Sequence, residues 1–262
     1  MKCISPIQIS RPEGLKQLVP CGHCLNCGIK RQQAWSLRMM LEASEHASNS
    51  FVTLTYEEHT RPGKLEYEHI SRFLKRWRRN IGPVRFFCVG EYGKQTKREH
   101  WHLMMFGVHP WQQGQSLIEL WPHGFVHAGH ITRQSANYVG RYSLKSGVHG
   151  DKYLVQASRR PGIGLDALKQ IGTWLAGAHP QLPSLPSYWR LGSSTVSLDR
   201  TSREALSTSY KGAGGVVERE DYSPLRLDLD ARLYAIAGDP LRSAKMRKLI
   251  QIERSDISHG SI

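Results

Sequence analysis

A chain of 262 residues with 39% hydrophobic content can bury a sizeable core, which excludes a disordered polypeptide and fits one domain with an appendage or two small ones. The 36 Lys and Arg exceed the 22 Asp and Glu by 14, a surplus that attracts polyanions, nucleic acid first among them. No apolar run reaches spanning length and no charged-then-apolar leader opens the chain, so the expectation is a cytoplasmic protein with no membrane role.

Residues 1–28 are rich in Pro, Gly and Cys and read as a small N-terminal element. Five Cys, an odd number with three crowded into seven residues, suggest metal rather than a disulfide framework. Cys21, Cys24 and Cys27 form C-x2-C-x2-C, and Cys3 or His23 can supply the fourth ligand of a tetrahedral structural Zn2+. The alternatives are reduced thiols without metal and an iron–sulfur cluster, for which the customary further Cys-Pro is missing. A helix follows, with Ile29, Trp35, Leu37 and Leu41 separated by Lys30, Arg31 and Arg38. Residues 51–56 (FVTLTY) are β-branched and aromatic, a strand closed by the turn-forming Arg61-Pro62-Gly63. Ile70, Phe73, Leu74, Trp77 and Ile81 then form one apolar helical stripe, with Arg72, Lys75, Arg76, Arg78 and Arg79 on the other face. That basic face is either simply solvated or tracks a DNA backbone, and Arg159 and Arg160 can add phosphate contacts.

Residues 84–91 and 100–106 read as two strands of a hairpin joined by a polar turn, and residues 125–131 as a further short strand. A helix over 135–146 follows, with Gly147 placed to end it. This order predicts an α+β fold with helices on one face of a mainly antiparallel sheet, in a domain spanning 29–165. Residues 166–262 form a C-terminal region: 181–187 a linker, 193–222 polar and partly disordered, and 225–253 helical again. Cys88, alone inside its strand, reads as a small core residue.

The sharpest local feature is His100-Trp101-His102. Alternate side chains of a strand share a face, so the two imidazoles point the same way and suit a divalent ion. Taken alone, such a pair fits ordinary polar positions equally well. Glu91, at the end of the preceding strand, can come level with the pair across the sheet. A carboxylate added to two His favours Mg2+ or Mn2+ with positions left open for substrate, and His127 and His130 compete for the same place. Tyr138, Tyr142 and Lys145 are spaced four and three apart, along one helix face. A phenol becomes a useful nucleophile when a nearby cation stabilises its charge, and Lys145 lies one turn away; the plain alternative is tyrosines that pack the helix.

The order of these motifs along one small α+β domain resembles the HUH endonuclease superfamily of rolling-circle replication initiators and relaxases. The segments VPCGHCLNCGIKRQQAW, FVTLTY, GEYG, EHWHLMMFG, ANYVGRYSLK and SRRPGIG extend the resemblance to the replication initiators of microviruses, in particular their gokushovirus branch. The resemblance implies a ferredoxin-like central sheet, with His100 and His102 as the metal pair and Glu91 as the third ligand. It further implies Tyr142 with Lys145 as nucleophile and helper, and Tyr138 as a second tyrosine, although Arg141 stands where a second lysine would be. The implied protein nicks single-stranded DNA at an origin through a 5′-phosphotyrosine, rejoins the displaced strand, and works with a host helicase and polymerase. A non-catalytic zinc-containing DNA-binding protein and a transposase or plasmid initiator are the competing classes.

Overall fold

The computed structural model describes residues 3–10, 16–93, 95–145, 153–191 and 194–218. At the N-terminus β1 (Ile7–Ser10) and β2 (Lys16–Val19) pair as an antiparallel hairpin, ahead of a long helix α1 (Leu25–Ser44). The strand β3 (Asn49–Thr55) alternates in burial: Ser50, Val52 and Leu54 are covered, while Phe51, Thr53 and Thr55 on the other side are half-buried. This is the period-two pattern of a strand with unequal faces. After the amphipathic helix α2 (Tyr67–Asn80) come β4 (Arg85–Tyr92) and β5 (Glu99–Phe106), within a residue of their expected bounds. A short helix α3 (Gly114–Glu119) leads to β6 (Val126–His130), the helix α4 (Arg133–Lys145) and β7 (Leu154–Ala157). The five strands lie in the order β6-β3-β5-β4-β7, every neighbouring pair antiparallel. The α+β class and the antiparallel central sheet are as expected from the sequence.

The helices, expected on one face, cover both. On one side α2 presses Ile70, Phe73, Leu74 and Trp77 onto Val52, Leu54, Cys88, Trp101, Leu103 and Met105. On the other, α1 and α4 bring Met39, Ala43, Ala136, Val139 and Tyr142 against Phe87, Val89, Met104 and Phe106. The physical reason lies in β4 and β5, whose stretches Phe86-Phe87-Cys88-Val89 and Leu103-Met104-Met105-Phe106 are apolar at every position. A strand apolar on both faces must be covered on both. Gly90 belongs to the same packing, because a Cβ there would meet the Trp101 ring at 2.8 Å.

Beyond the sheet, α5 (Leu165–Ala178), β8 (Gln181–Leu182), β9 (Tyr188–Leu191), β10 (Ser194–Ser197), α6 (Arg200–Gly212) and β11 (Val216–Val217) build a further layer. Its core joins Leu168, Leu175, Leu206 and Tyr210 to Leu37 and Leu41 of α1. The expected linker over 181–187 is therefore corrected: Leu182, Ser184, Leu185 and Ser187 are buried, and β8 pairs in parallel with β11. The region beginning at 193, expected to be partly disordered, is likewise ordered from 194 to 218. Leu206 and Tyr210, four apart on α6, provide its buried stripe, and the Asp199 side chain caps the helix by accepting from Ser202 N at 2.7 Å. The helix expected over 225–253 lies outside the described residues.

A buried ionic cluster ties α1 to the sheet. The Glu42 carboxylate accepts from the Arg85 guanidinium and from Gly164 N at 2.7 Å. Gly164 has φ +72 and approaches so closely that a Cβ would sit 2.4 Å from Arg38 O, so only glycine fits. Arg38, itself buried, donates from Nε to Ile163 O at 2.8 Å. Burial would raise the Glu42 pKa, but the hydrogen bonds from His46, Arg85 and Gly164 outweigh it and bring it down to about 2. A carboxyl depressed on folding contributes stability above its unfolded pKa of about 4.3 and loses it as pH falls toward the folded value. Glu42→Gln is expected to reduce unfolding free energy by about 3 kcal/mol at pH 7, with the deficit shrinking steadily between about pH 5 and pH 2. Urea titrations of both proteins across that range check it; a deficit independent of pH would refute the assignment.

Candidate active site

The pairing of β4 with β5 sets Glu91 opposite His100 and Val89 opposite His102. Both imidazoles and the carboxylate consequently project from the same face, the one that α1 and α4 partly cover. Glu91 Oε1 lies 2.9 Å from His100 Nε2 and 2.9 Å from His102 Nε2, and the three ligand atoms fall within 4.8 Å of one another. A carboxylate oxygen and two imidazole nitrogens so disposed are a suitable donor set for one divalent ion. The outer nitrogens are also held. His100 Nδ1 donates to Arg98 O at 3.2 Å, and His102 Nδ1 is 3.1 Å from Thr53 Oγ1 on β3. Such outer contacts orient the ring and direct Nε2 inward. Phe51 stacks on the His102 ring, centroids 5.5 Å apart.

The helix α4 supplies the phenols. Tyr138 Oη donates to Glu91 Oε1 at 2.7 Å, and Tyr142 Oη donates to Tyr138 Oη at 2.9 Å. The helix is held at this height by α1. Ser36 Oγ donates to Ala136 O at 3.1 Å and Gln32 Nε2 to Asn137 O at 3.2 Å, while a Cβ on Gly140 would meet Ser36 Oγ at 2.9 Å. The two tyrosines differ in access: Tyr138 is 37% exposed and Tyr142 only 7%. Tyr142 also packs its ring against Tyr153, centroids 5.5 Å apart. Lys145 closes α4, and its side chain lies outside the described residues.

The electrostatics follow from this contact chain. Burial would raise the Glu91 carboxyl, but hydrogen bonds from His100, His102, Tyr142 and Tyr138 outweigh it and hold it well below the usual carboxylate range. His100 shows the converse: burial lowers its pKa, and Glu91 with the Arg98 carbonyl raise it by more. Both phenols are pushed up, first by burial. For Tyr142 the contacts with Glu91 and Tyr138 push in the same direction, so it is displaced far above an ordinary tyrosine. Tyr138 is moved less, because its bond with Tyr142 and the charge of Arg141 act downward.

The remaining sequence candidates fall elsewhere. His127 faces the same side as His102, since Thr53 pairs with both, but it stands two strands away, about 10 Å, and is not among the grouped ligand atoms. His130 pairs with Ser50 on the opposite face and packs edge-on against His109 and Trp111. Arg72, Lys75, Arg76 and Arg79 lie on α2, across the sheet from the His pair. Arg72 pairs with Glu68 at 2.7 Å, and Arg76 donates to Leu120 O at 2.9 Å. Arg159 and Arg160 are exposed beside the Arg85 end of β4, six residues or about 20 Å of strand from Glu91. Arg141 is exposed on α4, within reach of the tyrosine pair. Sequence reasoning did not single out Thr53, Phe51 or the Arg98 carbonyl. For the first two a signal existed, because alternation in FVTLTY puts Phe51, Thr53 and Thr55 on one face.

The other described group able to hold a metal is Cys3, Cys21, Cys24 and Cys27, again with ligand atoms within 4.8 Å of one another. Cys3, and not the exposed His23, completes it. Cys88 is fully buried in the core, as expected.

Comparison with known proteins agrees with this geometry. Residues 49–147, which carry the His pair and both tyrosines, match the family model of the replication-associated protein ORF2 type. The chain is similar to viral replication-associated proteins. It is 31% identical over 156 residues to replication-associated protein VP4 of Bdellovibrio phage phiMH2K, covering 50% of each chain. It is 33% identical over 156 residues to replication-associated protein ORF4 of Chlamydia phage 1, covering 50% of this chain and 39% of that one. Replication-associated protein ORF2 of Spiroplasma virus 4 is 32% identical over 181 residues, covering 56% of each. The chain thus spans about half the length of the curated relatives it matches. No solved structure matches. The resemblance carried by the motifs is borne out. No helix among the described residues is long and apolar enough to cross a membrane.

Because Thr53 orients His102, Thr53→Val is expected to weaken Mn2+ binding by roughly tenfold or more while leaving the unfolding midpoint nearly unchanged. Isothermal titration with Mn2+ reads this, and unaltered affinity would show that the Thr53 contact has no hold on the ion.

Proposed function

We propose that this chain is a metal-dependent single-strand DNA endonuclease that initiates rolling-circle replication of a phage genome in the bacterial host cytoplasm. The observation that carries the reading is the continuous contact from His100 and His102 through Glu91 to Tyr138 and Tyr142, with the Tyr138 oxygen 2.7 Å from a ligand oxygen. A nucleophile adjoining a cation site is the arrangement that phosphoryl transfer to a tyrosine needs. The similarity of residues 49–147 to replication-associated proteins supports the same reading.

Glu91, His100 and His102 would hold Mg2+ or Mn2+, which when bound polarises the scissile phosphate and neutralises charge growing on its oxygens. Tyr138, the more exposed phenol, attacks phosphorus in line. The new bond is Tyr138 oxygen to phosphorus, and the bond that breaks is phosphorus to the 3′ oxygen. The phenol gives up its proton, the leaving 3′ oxygen takes one up, and the products are a 5′-phosphotyrosine and a free 3′-OH. The reverse attack by a 3′-OH rejoins a displaced strand without ATP, because the phosphodiester energy is conserved in the tyrosyl ester. Tyr142, one helical turn behind, holds Tyr138 by a hydrogen bond and becomes the second nucleophile once Tyr138 is esterified. Arg141 contributes positive charge beside Tyr138 and a contact to the phosphate backbone. Lys145 would assist Tyr142. The basic side of α2, with Arg72, Lys75 and Arg79, tracks DNA flanking the cut, and Arg159 and Arg160 extend that track. Origin DNA in single-stranded form, a host helicase and a host polymerase are the partners this cycle needs.

The test is covalent capture. With Mn2+ and an oligonucleotide bearing the origin, the full chain is expected to yield a protein–DNA adduct on a denaturing gel, and EDTA is expected to abolish it. Tyr138→Phe should slow adduct formation about a hundredfold or more, Tyr142→Phe substantially less, and the double variant should form none. An adduct formed equally by both single variants and the double variant would overturn the proposal.

A further inference from the structure

The β1–β2 hairpin poses a stability problem that the nickase reading does not solve. Every residue of β1 and all but Val19 of β2 are exposed, so no apolar core holds these two strands. A two-stranded hairpin is marginal in water unless something else pins it. What lies at its base is the Cys cluster. Cys3 precedes β1, Cys21 follows β2, and Cys24 and Cys27 sit at the start of α1. Cys3 Sγ is 3.5 Å from Cys21 Sγ and 3.8 Å from Cys24 Sγ. Four sulfurs at about 2.3 Å from a tetrahedral ion stand about 3.8 Å apart, so the cluster has the dimensions of a single-ion site. A multi-iron cluster would need the thiolates further apart, to make room for its inorganic sulfides.

The surroundings suit thiolates. Cys21 N donates to Cys3 Sγ and Cys24 N to Cys21 Sγ, each at 3.3 Å. Cys24 is also the N-cap of α1, where the positive end of the helix dipole meets the net negative charge of a four-thiolate zinc centre. Arg31, one turn into α1, reaches back to Gly22 O at 2.8 Å and adds its charge.

We propose that Cys3, Cys21, Cys24 and Cys27 bind a structural Zn2+ that clips the N-terminal hairpin to the first turn of α1. The clip closes a loop of 18 residues between Cys3 and Cys21, replacing the apolar core that the hairpin lacks. It also braces the end of the helix whose Gln32 and Ser36 hold the tyrosine helix. This site is independent of the His pair in residues and in chemistry, so the two proposals fail separately.

The full chain, purified without added metal and dialysed against EDTA, is expected to retain one zinc per molecule. The double variant H100A/H102A should retain it as well, whereas Cys24→Ser and Cys27→Ser should lose it. Because cysteine variants can misfold, a second measurement uses the unaltered chain. Exchange of Co2+ into it should give the sulfur-to-cobalt charge-transfer absorption and intense visible bands of a tetrahedral tetrathiolate. Stripping the ion should speed amide exchange over residues 3–24. Four freely titrating thiols with no zinc, iron in place of zinc, or a cobalt spectrum without sulfur character would each overturn the assignment.

Discussion

The carboxylate of Glu91 is the interaction around which this molecule is arranged. It accepts from two imidazoles of the neighbouring strand and from a phenol of a helix 47 residues further along the chain. Four polar groups meeting in a partly covered place are costly unless every one is satisfied, and here each partner satisfies another. The sheet supplies the rigid half of this contact through strand register, and α4 supplies the half that must be placed by packing. The same negative charge that collects the imidazoles keeps the phenols protonated. Engagement of that charge by a cation is thus the natural way to bring the tyrosines into play.

The helix α1 does the placing. One side of it enters the core against Phe87 and Met104 together with α4, and another meets α5 and α6 through Leu37 and Leu41. Its first turn carries two of the four clustered cysteines, and its last turns carry Glu42, bound to Arg85 and Gly164. A single element therefore links the N-terminal hairpin, the tyrosine helix, the sheet and the C-terminal layer. The glycines of the Gly162-Ile163-Gly164 stretch find their reason here: the backbone at Gly164 passes too close to Arg38 for any side chain. The similarity to replication-associated proteins over residues 49–147 covers the sheet and α4 but leaves α1 outside, although α1 positions what those residues carry.

Exposure separates the two tyrosines in a way that spacing along the chain cannot. The presence of a lysine three residues after Tyr142 points to that phenol in the sequence, whereas the structure sets Tyr138 nearer the ligand oxygen and nearer solvent. The basic residues divide similarly. Charge on α2 is conspicuous in the sequence, yet its helix packs on the far side of the sheet, and part of that charge is engaged with Glu68 and the Leu120 carbonyl.

Local pattern alone was enough to identify the strands and the two helices that carry or flank the site, because periods of two and 3.6 are properties of the backbone. The facing of His100 with His102, and the alignment of Tyr138 with Tyr142, follow from the same periodicities. The C-terminal layer was illegible, since short strands such as Gln181–Leu182 carry too few residues to establish a period and are held by α5 and α6 instead. Cover on both sheet faces, the choice of Cys3 over His23, the exclusion of His127 and His130, and the ranking of the tyrosines were decided only by tertiary structure. Each depends on a distance between segments remote along the chain, set by register and by the volume of intervening side chains, and no local pattern encodes such a distance.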